Sequence, residues 1–211
     1  MILDKQDKDS VLRIAVLASG RGSNFEALCN GDTGNGRISL LITDNEKADV
    51  LRKASALGVE ALYMSPGRYR TKFGEAEERE WAQLMKDRGI ELICLAGLMR
   101  IIKGPILEEY QDRIMNIHPS LLPSFPGLHA QKQALDYGVR ITGCTVHYVD
   151  AGVDSGPIVL QKAVHVKDDD TVETLSGRIL QQEHIAYSEA VRLYCSGVIA
   201  SSERYAYKRE Q

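Results

Sequence analysis

The sequence is short of several things, and each shortage narrows what the protein can be. It has no surplus of positive charge: 26 Lys and Arg stand against 29 Asp and Glu, a net charge of −3 over 211 residues. A protein whose main partner is nucleic acid normally carries a basic excess, so that class is disfavoured and any basic patch must be local. There is no Cys-x-x-Cys pair and no Cys/His cluster at zinc spacing. Cys29, Cys94, Cys144 and Cys195 are widely separated, which predicts four reduced, mostly buried thiols and no metal. The longest uncharged apolar stretch, residues 92–99, falls far short of the roughly 20 residues that span a bilayer. The first ten residues carry charges where a secretion signal needs an apolar run. A cytoplasmic protein without a membrane partner is expected.

What is present is an ordinary globular composition, 44 % hydrophobic and 26 % charged. A chain of this length buries about 70 % of its unfolded surface and needs no staple. Residues 1–10 are polar and are expected to be disordered. Residues 11–18 then form an apolar run broken only by Arg13, the mark of a strand buried on both faces. Further strands are expected at 37–43, 59–64 and 90–96. Helices between them start at Phe25, after Asp44 or Asn45 acting as a cap, and at Gly74. Strands alternating with helices of this length imply right-handed crossovers and a parallel sheet.

After about residue 112 the rhythm changes. Residues 113–118 read as a strand, 119–127 as a proline-studded loop, and 131–137 as a short helix. Two alternating strands, 142–149 and 156–166, are joined by an acidic turn and suggest an antiparallel hairpin. Asp170 or Thr171 caps a helix running to about Gly197. The expectation is an α/β fold with a Rossmann-like, mostly parallel sheet and an antiparallel hairpin in its C-terminal half. Residues 11–211 form one domain, 11–112 being a phosphate-binding half and 113–197 a catalytic half.

Ser19-Gly20-Arg21-Gly22-Ser23-Asn24 lies between the first strand and the first helix. Free backbone N–H groups and the helix dipole favour an anion there. No Lys-Ser/Thr follows, so this is not a Walker loop. Phe25 stands where a dinucleotide fingerprint needs a small residue. Asp44, at the end of the second strand, is the one feature suited to an NAD ribose, and capping a helix is its plainer use. A terminal monophosphate fits this turn better than a pyrophosphate.

Asn116 and His118 are two apart in a strand, so their side chains share a face. An amide beside an imidazole can polarise a carbonyl, stabilise the oxyanion formed on attack, and move protons near neutral pH. Asp154 is the best-placed carboxylate to orient the imidazole, with Asp150 its competitor. His147 lies in the hairpin and could sit nearby; His129, His165 and His184 read as structural. With no Gly-x-Ser-x-Gly elbow and no Cys beside a His in sequence, a covalent nucleophile is not indicated.

These residues carry a resemblance. Residues 19–24, Leu95-Ala96-Gly97-Leu98-Met99-Arg100-Ile101, Asn116-Ile117-His118-Pro119-Ser120-Leu121-Leu122-Pro123, Pro126-Gly127-Leu128-His129 and the stretch 150–157 occur in that order. Over residues 12–197 the chain resembles the phosphoribosylglycinamide formyltransferase family, folate-dependent enzymes of purine synthesis. The Asn-Ile-His-Pro-Ser-Leu-Leu-Pro string points to folate-dependent formyl transfer, and the glycine turn to the glycinamide ribonucleotide branch.

The resemblance implies a formyltransferase fold and a reaction. The formyl group of 10-formyltetrahydrofolate passes to the amine of 5-phosphoribosylglycinamide through a tetrahedral oxyanion, without a metal. It implies Asn116, His118 and Asp154 as the catalytic trio, with Asp154 holding His118 charged. Gly22, Ser23 and Asn24 would hold the phosphate, and Gln182 and Glu183 the rest of the ribonucleotide. Met99, Arg100, Ile101 and Ile102 would bind the pterin, together with Asn116 and with the loop Asp150, Ala151, Gly152, Val153 and Asp154 that closes over it. The family has a cis peptide before the proline matching Pro123. One departure is that Gly74 stands where the family often places an Arg near the folate tail, leaving Arg70 or Lys72 as the candidate cation. A monomer or homodimer acting on small molecules is implied. Formyltetrahydrofolate hydrolase and methionyl-tRNA formyltransferase are the rival enzymes. The length and the early first strand, read as a transfer core alone, argue against both. A non-catalytic folate- or nucleotide-binding module is the rival of another class.

Overall fold

A computed structural model describes residues 11–202 and 205–208; the expectation for residues 1–10 lies outside them. The strands are β1 (Leu12–Leu17), β2 (Gly36–Thr43), β3 (Glu60–Tyr63), β4 (Leu92–Leu95), β5 (Ile114–His118), β6 (Ile141–Tyr148), β7 (Ile158–His165), β8 (Ile199–Ser202) and β9 (Tyr205–Lys208). The helices are α1 (Ser23–Asn30), α2 (Asp49–Leu57), α3 (Glu75–Asp87), α4 (Pro105–Glu109), α5 (Ala130–Tyr137) and α6 (Val172–Cys195). All strands join one sheet in the order β3-β2-β1-β4-β5-β6-β7-β9-β8. Strands β3, β2, β1, β4 and β5 run parallel, while β5–β6 and β6–β7 pair antiparallel. The expected fold class is the observed one. No helix among the described residues is long and apolar enough to cross a membrane.

The apolar run of β1 is explained by its place in the middle of the sheet. Ile14 and Val16 face one core with Phe25, Leu28, Val50, Ile179 and Tyr187. Ala15 and Leu17 face a second, with Phe73, Trp81, Met85, Ile106 and Tyr110. With both faces covered, alternation has nothing to report. In β2 a register shift opposite Ile14 and Ala15 skips Ser39, so that Ile38 and Leu41 face the first core and Leu40 and Ile42 the second. Trp81 is fully buried and gives its indole N–H to the Ser65 carbonyl.

One expectation needs correction. Helix α2 starts at Asp49, behind an Ala48 that makes no side-chain cap; Asn45 instead caps its own turn by accepting from the Lys47 N–H. Helix α4 and strands β8 and β9 had no expected counterpart. Between the Asp170 and Thr171 alternatives, Thr171 is the N-cap of α6, in a reciprocal capping box with Thr174.

Candidate active site

The sheet order sets the site. Strand β1 has β2 on one side and β4 on the other, so the chain changes direction there and opens a crevice at the carboxyl ends of β1, β4 and β5. The glycine turn leaves β1, the 97–102 segment leaves β4, and His118 ends β5.

Gly22 caps α1 with a left-handed backbone (φ 70°). A Cβ added to it would lie 2.3 Å from Val50 Cγ2, so glycine is required by conformation and by the close approach of α2. The first backbone N–H groups of α1 have no carbonyl a turn earlier to bond, which suits them to an anion. Asn24, nearly buried, donates from Nδ2 to Glu183 Oε2 at 2.8 Å, while its Oδ1 is buried without a partner among the described residues. Burial raises the Glu183 carboxyl above its usual value against the lowering effect of that hydrogen bond. Gln182 is half-buried beside it.

Over β5 the predicted trio is brought together. Asp154 Oδ2 lies 3.3 Å from His118 Nδ1 and accepts the Gly127 N–H at 2.8 Å. Asp154 has a left-handed backbone, φ 52°, a conformation that Asp tolerates better than most residues. It lies where the turn after β6 folds back over the strands. Asp150 does not reach the histidine: its Oδ1 accepts from Gly152 N and Ser155 Oγ and ties its own loop.

His147 belongs to this cluster, as its place in the hairpin allowed. It pairs directly with Asn116 across β5 and β6, and its Nε2 lies 3.2 Å from Asn116 Nδ2 and 3.6 Å from Asp154 Oδ1. Cross-strand register was the missing signal. The loop 119–127 is held by Thr145, which donates to Ser120 O and accepts from Leu122 N. The Leu122–Pro123 peptide is cis.

Both ring nitrogens of His118 face acceptors. Nε2 meets the Phe125 carbonyl at 2.9 Å and therefore carries a hydrogen; Nδ1 meets Asp154. Burial still pulls the imidazole below its ordinary value, outweighing the upward pull of the Phe125 carbonyl and Asp154. This lowering works against the charged form that the resemblance implies for His118, while the two facing acceptors favour it. For Asp154, burial pushes the carboxyl up, but His147, the Gly127 N–H and His118 together bring it below its usual range.

The predicted donor-binding segment divides. Met99 and Ile101 are exposed apolar side chains, as is Val153, beside the exposed Ala151 and Gly152. Ile102 packs into the second core. Arg100 turns inward: its Nε meets Asp44 Oδ2 at 2.6 Å and its Nη1 donates to the carbonyls of Tyr69 and Lys72. Asp44 does not cap a helix; its side chain is buried against Arg100 instead. Arg70 and Lys72 are exposed, Lys72 sitting 4.4 Å from the centre of the Tyr69 ring. At Gly74 a Cβ would fall 2.0 Å from Glu77 Oε2, so a longer side chain has no room unless Glu77 moves.

Comparison with known proteins agrees with this geometry. The family described as formyl transferase matches residues 12–191. The phosphoribosylglycinamide formyltransferase of Bacillus subtilis (strain 168) is 41 % identical over 183 residues, 85 % of this chain and 93 % of that protein. The trifunctional purine biosynthetic protein adenosine-3 of Gallus gallus is 44 % identical over 197 residues, 91 % of this chain; the chain spans only 19 % of that relative's length. The crystal structure of glycinamide ribonucleotide transformylase 1 from Symbiobacterium toebii superposes with a TM-score of 0.91 at 45 % identity, over 100 % of this chain and 99 % of that one. A glycine turn, an Asn-x-His strand and an acidic turn set on one sheet, within a sequence matched over most of its length, identify the chain as a member of the formyl transferase family.

Proposed function

We propose that the protein transfers the formyl group of 10-formyltetrahydrofolate to the amine of 5-phosphoribosylglycinamide, giving formylglycinamide ribonucleotide in purine synthesis. The observation that carries this reading is the meeting of Asn116, His118, His147 and Asp154 over β5, beside an anion-suited glycine turn. A simple binding module has no use for a half-buried amide, two imidazoles and a carboxylate within one close cluster.

In this reading residues 22–24 hold the phosphate, and Gln182 and Glu183 the ribose side. Residues 11–112 supply the phosphate-binding half and 113–197 the catalytic half. The donor brings a carbonyl carbon and an amine leaving group. Exposed Met99, Ile101 and Val153 fit a flat apolar ring, while the buried Ile102 has only its backbone to offer. Loop 150–154 closes over that ring, and Arg70 or Lys72 meets its anionic tail.

Asn116 spends one amide hydrogen on His147, and its second donates to the oxygen that gains charge as the amine attacks. A proton reaching His118 Nδ1 is met at once by Asp154 Oδ2, so the pair can hold the amine's proton, relayed by a water, until the folate nitrogen leaves.

The test is loss of the formyl-folate donor by absorbance, with and without the ribonucleotide. Turnover only with the ribonucleotide supports the reading. Turnover without it indicates hydrolysis, and none in either case indicates a binding module or a different acceptor.

A further inference from the structure

Loop 68–72 reads Arg-Tyr-Arg-Thr-Lys, and every one of these residues is exposed. Three cations and an aromatic ring in five residues, with no helix or strand among them, would be expected to sample many conformations. Yet the loop is tied down from beneath by one buried ion pair. Arg100 and Asp44, with side chains 12 % and 7 % exposed, meet at 2.6 Å. The Arg100 fork donates to the Tyr69 carbonyl at 2.5 Å and to the Lys72 carbonyl at 3.1 Å, and the Ile101 N–H donates to Thr71 O. Asp44 has no other hold, its Oδ1 being buried without a hydrogen-bond partner among the described residues.

The same knot reaches the glycine turn. Ser19 Oγ accepts the Met99 N–H, Asn45 Nδ2 donates to Ser19 O, and Ser19 N donates to Gly97 O. The end of β2, the segment after β4, the cationic loop and the turn after β1 are thus fastened together around Arg100. A planar guanidinium that bonds one carboxylate and two carbonyls can do this; an ammonium lacks the fixed fork.

We infer that Asp44 and Arg100 are positioning residues: their buried pair fixes the cationic loop 68–72 against the glycine turn, so that its cations meet the anionic tail of the formyl donor in a set place. The inference rests on the formyl-transfer reading for the identity of that anion, but not for the clamp itself. Neither residue touches the reacting atoms.

The test pairs kinetics with trypsin, which cuts after Arg68, Arg70 and Lys72. In Asp44→Asn, cutting in this loop should accelerate at least about tenfold, the loss of one charged hydrogen bond, while cutting after exposed Lys132 and Arg140 should not. The KM for the formyl donor should rise by a similar factor, with kcat and the ribonucleotide KM changing far less. Because Asp44→Asn leaves Arg100 charged and buried, it can unfold the chain. Asp44→Asn/Arg100→Met removes both charges at similar volume and should show the same loop-specific cutting and donor-specific KM. Loop cutting that rises no faster than cutting elsewhere, or a donor KM that stays at the wild-type value in the folded double variant, overturns the inference. Wild-type protein that transfers no formyl group would overturn the functional reading instead, and the proteolysis would still decide the clamp.

Discussion

Asn116 Nδ2 lies 3.2 Å from His147 Nε2, across the pair of strands that forms the floor of the site. His147 Nδ1 is 2.8 Å from the Tyr148 carbonyl, so that nitrogen carries the hydrogen and Nε2 is the acceptor. The contact fixes which end of the Asn116 amide points into the site. His147→Phe keeps a planar ring and removes the acceptor. It should lower kcat about tenfold, with both KM values near wild type, because a charge-stabilising donor loses its orientation. His147→Gln should recover part of the loss. Steady-state kinetics of the two variants decide it.

The lowered value of His118 sets a pH dependence. Burial pulls this imidazole below the ordinary 6.5, so the acid limb of kcat/KM should fall on the acid side of that value. Asp154 pushes the His118 value up, so Asp154→Asn should move the limb further toward acid while cutting kcat by about 10²–10³. A limb that moves toward neutral pH in this variant would contradict the assignment. The same shift makes the fold less stable as pH drops through the unfolded histidine value, since the unfolded chain then binds the proton more readily.

Gly22→Ala should fail twice. The backbone there is left-handed and the new methyl would meet Val50 Cγ2 at 2.3 Å. A loss of about 1–3 kcal/mol in unfolding free energy is expected, together with a raised ribonucleotide KM. Adding Val50→Ala should relieve the collision but not the φ angle, so recovery should be partial by denaturant melts.

Glu183 is a buried carboxyl whose value is raised by desolvation. An acid raised in the folded state favours folding at low pH, and that contribution is lost as pH rises through the folded value. Glu183→Gln should therefore melt no lower than wild type at pH 8, while the ribonucleotide KM rises about tenfold from the lost charged hydrogen bond. A lower melting temperature at pH 8 with an unchanged KM would assign Glu183 a purely structural role.

Much of the scaffold is legible in the residues themselves. The apolar runs of β1, broken only by Arg13, and of β4, and the antiparallel pairing of β6 with β7, follow from local periodicity and turn chemistry, although β6 is buried on both faces and does not alternate. The shared face of Asn116 and His118 follows from strand geometry alone. What local signals could not supply was α4, only five residues long, and the partner strands of the sheet edge.

The sequence by itself determined the parts: a glycine turn after the first strand, an Asn-x-His strand and an acidic turn in a mildly acidic chain. Tertiary structure decided how they combine. Register across β5 and β6 brought His147 to Asn116, the fold-back after β6 chose Asp154 over Asp150, and α6 carried Glu183 to Asn24, 159 residues away. Asp44, read from sequence as a helix cap or, less plainly, a ribose contact, is the anchor of Arg100. The physical reason is that a side chain's role depends on what lies within about 3 Å and on how much water is excluded, and both are set by residues far away in the chain.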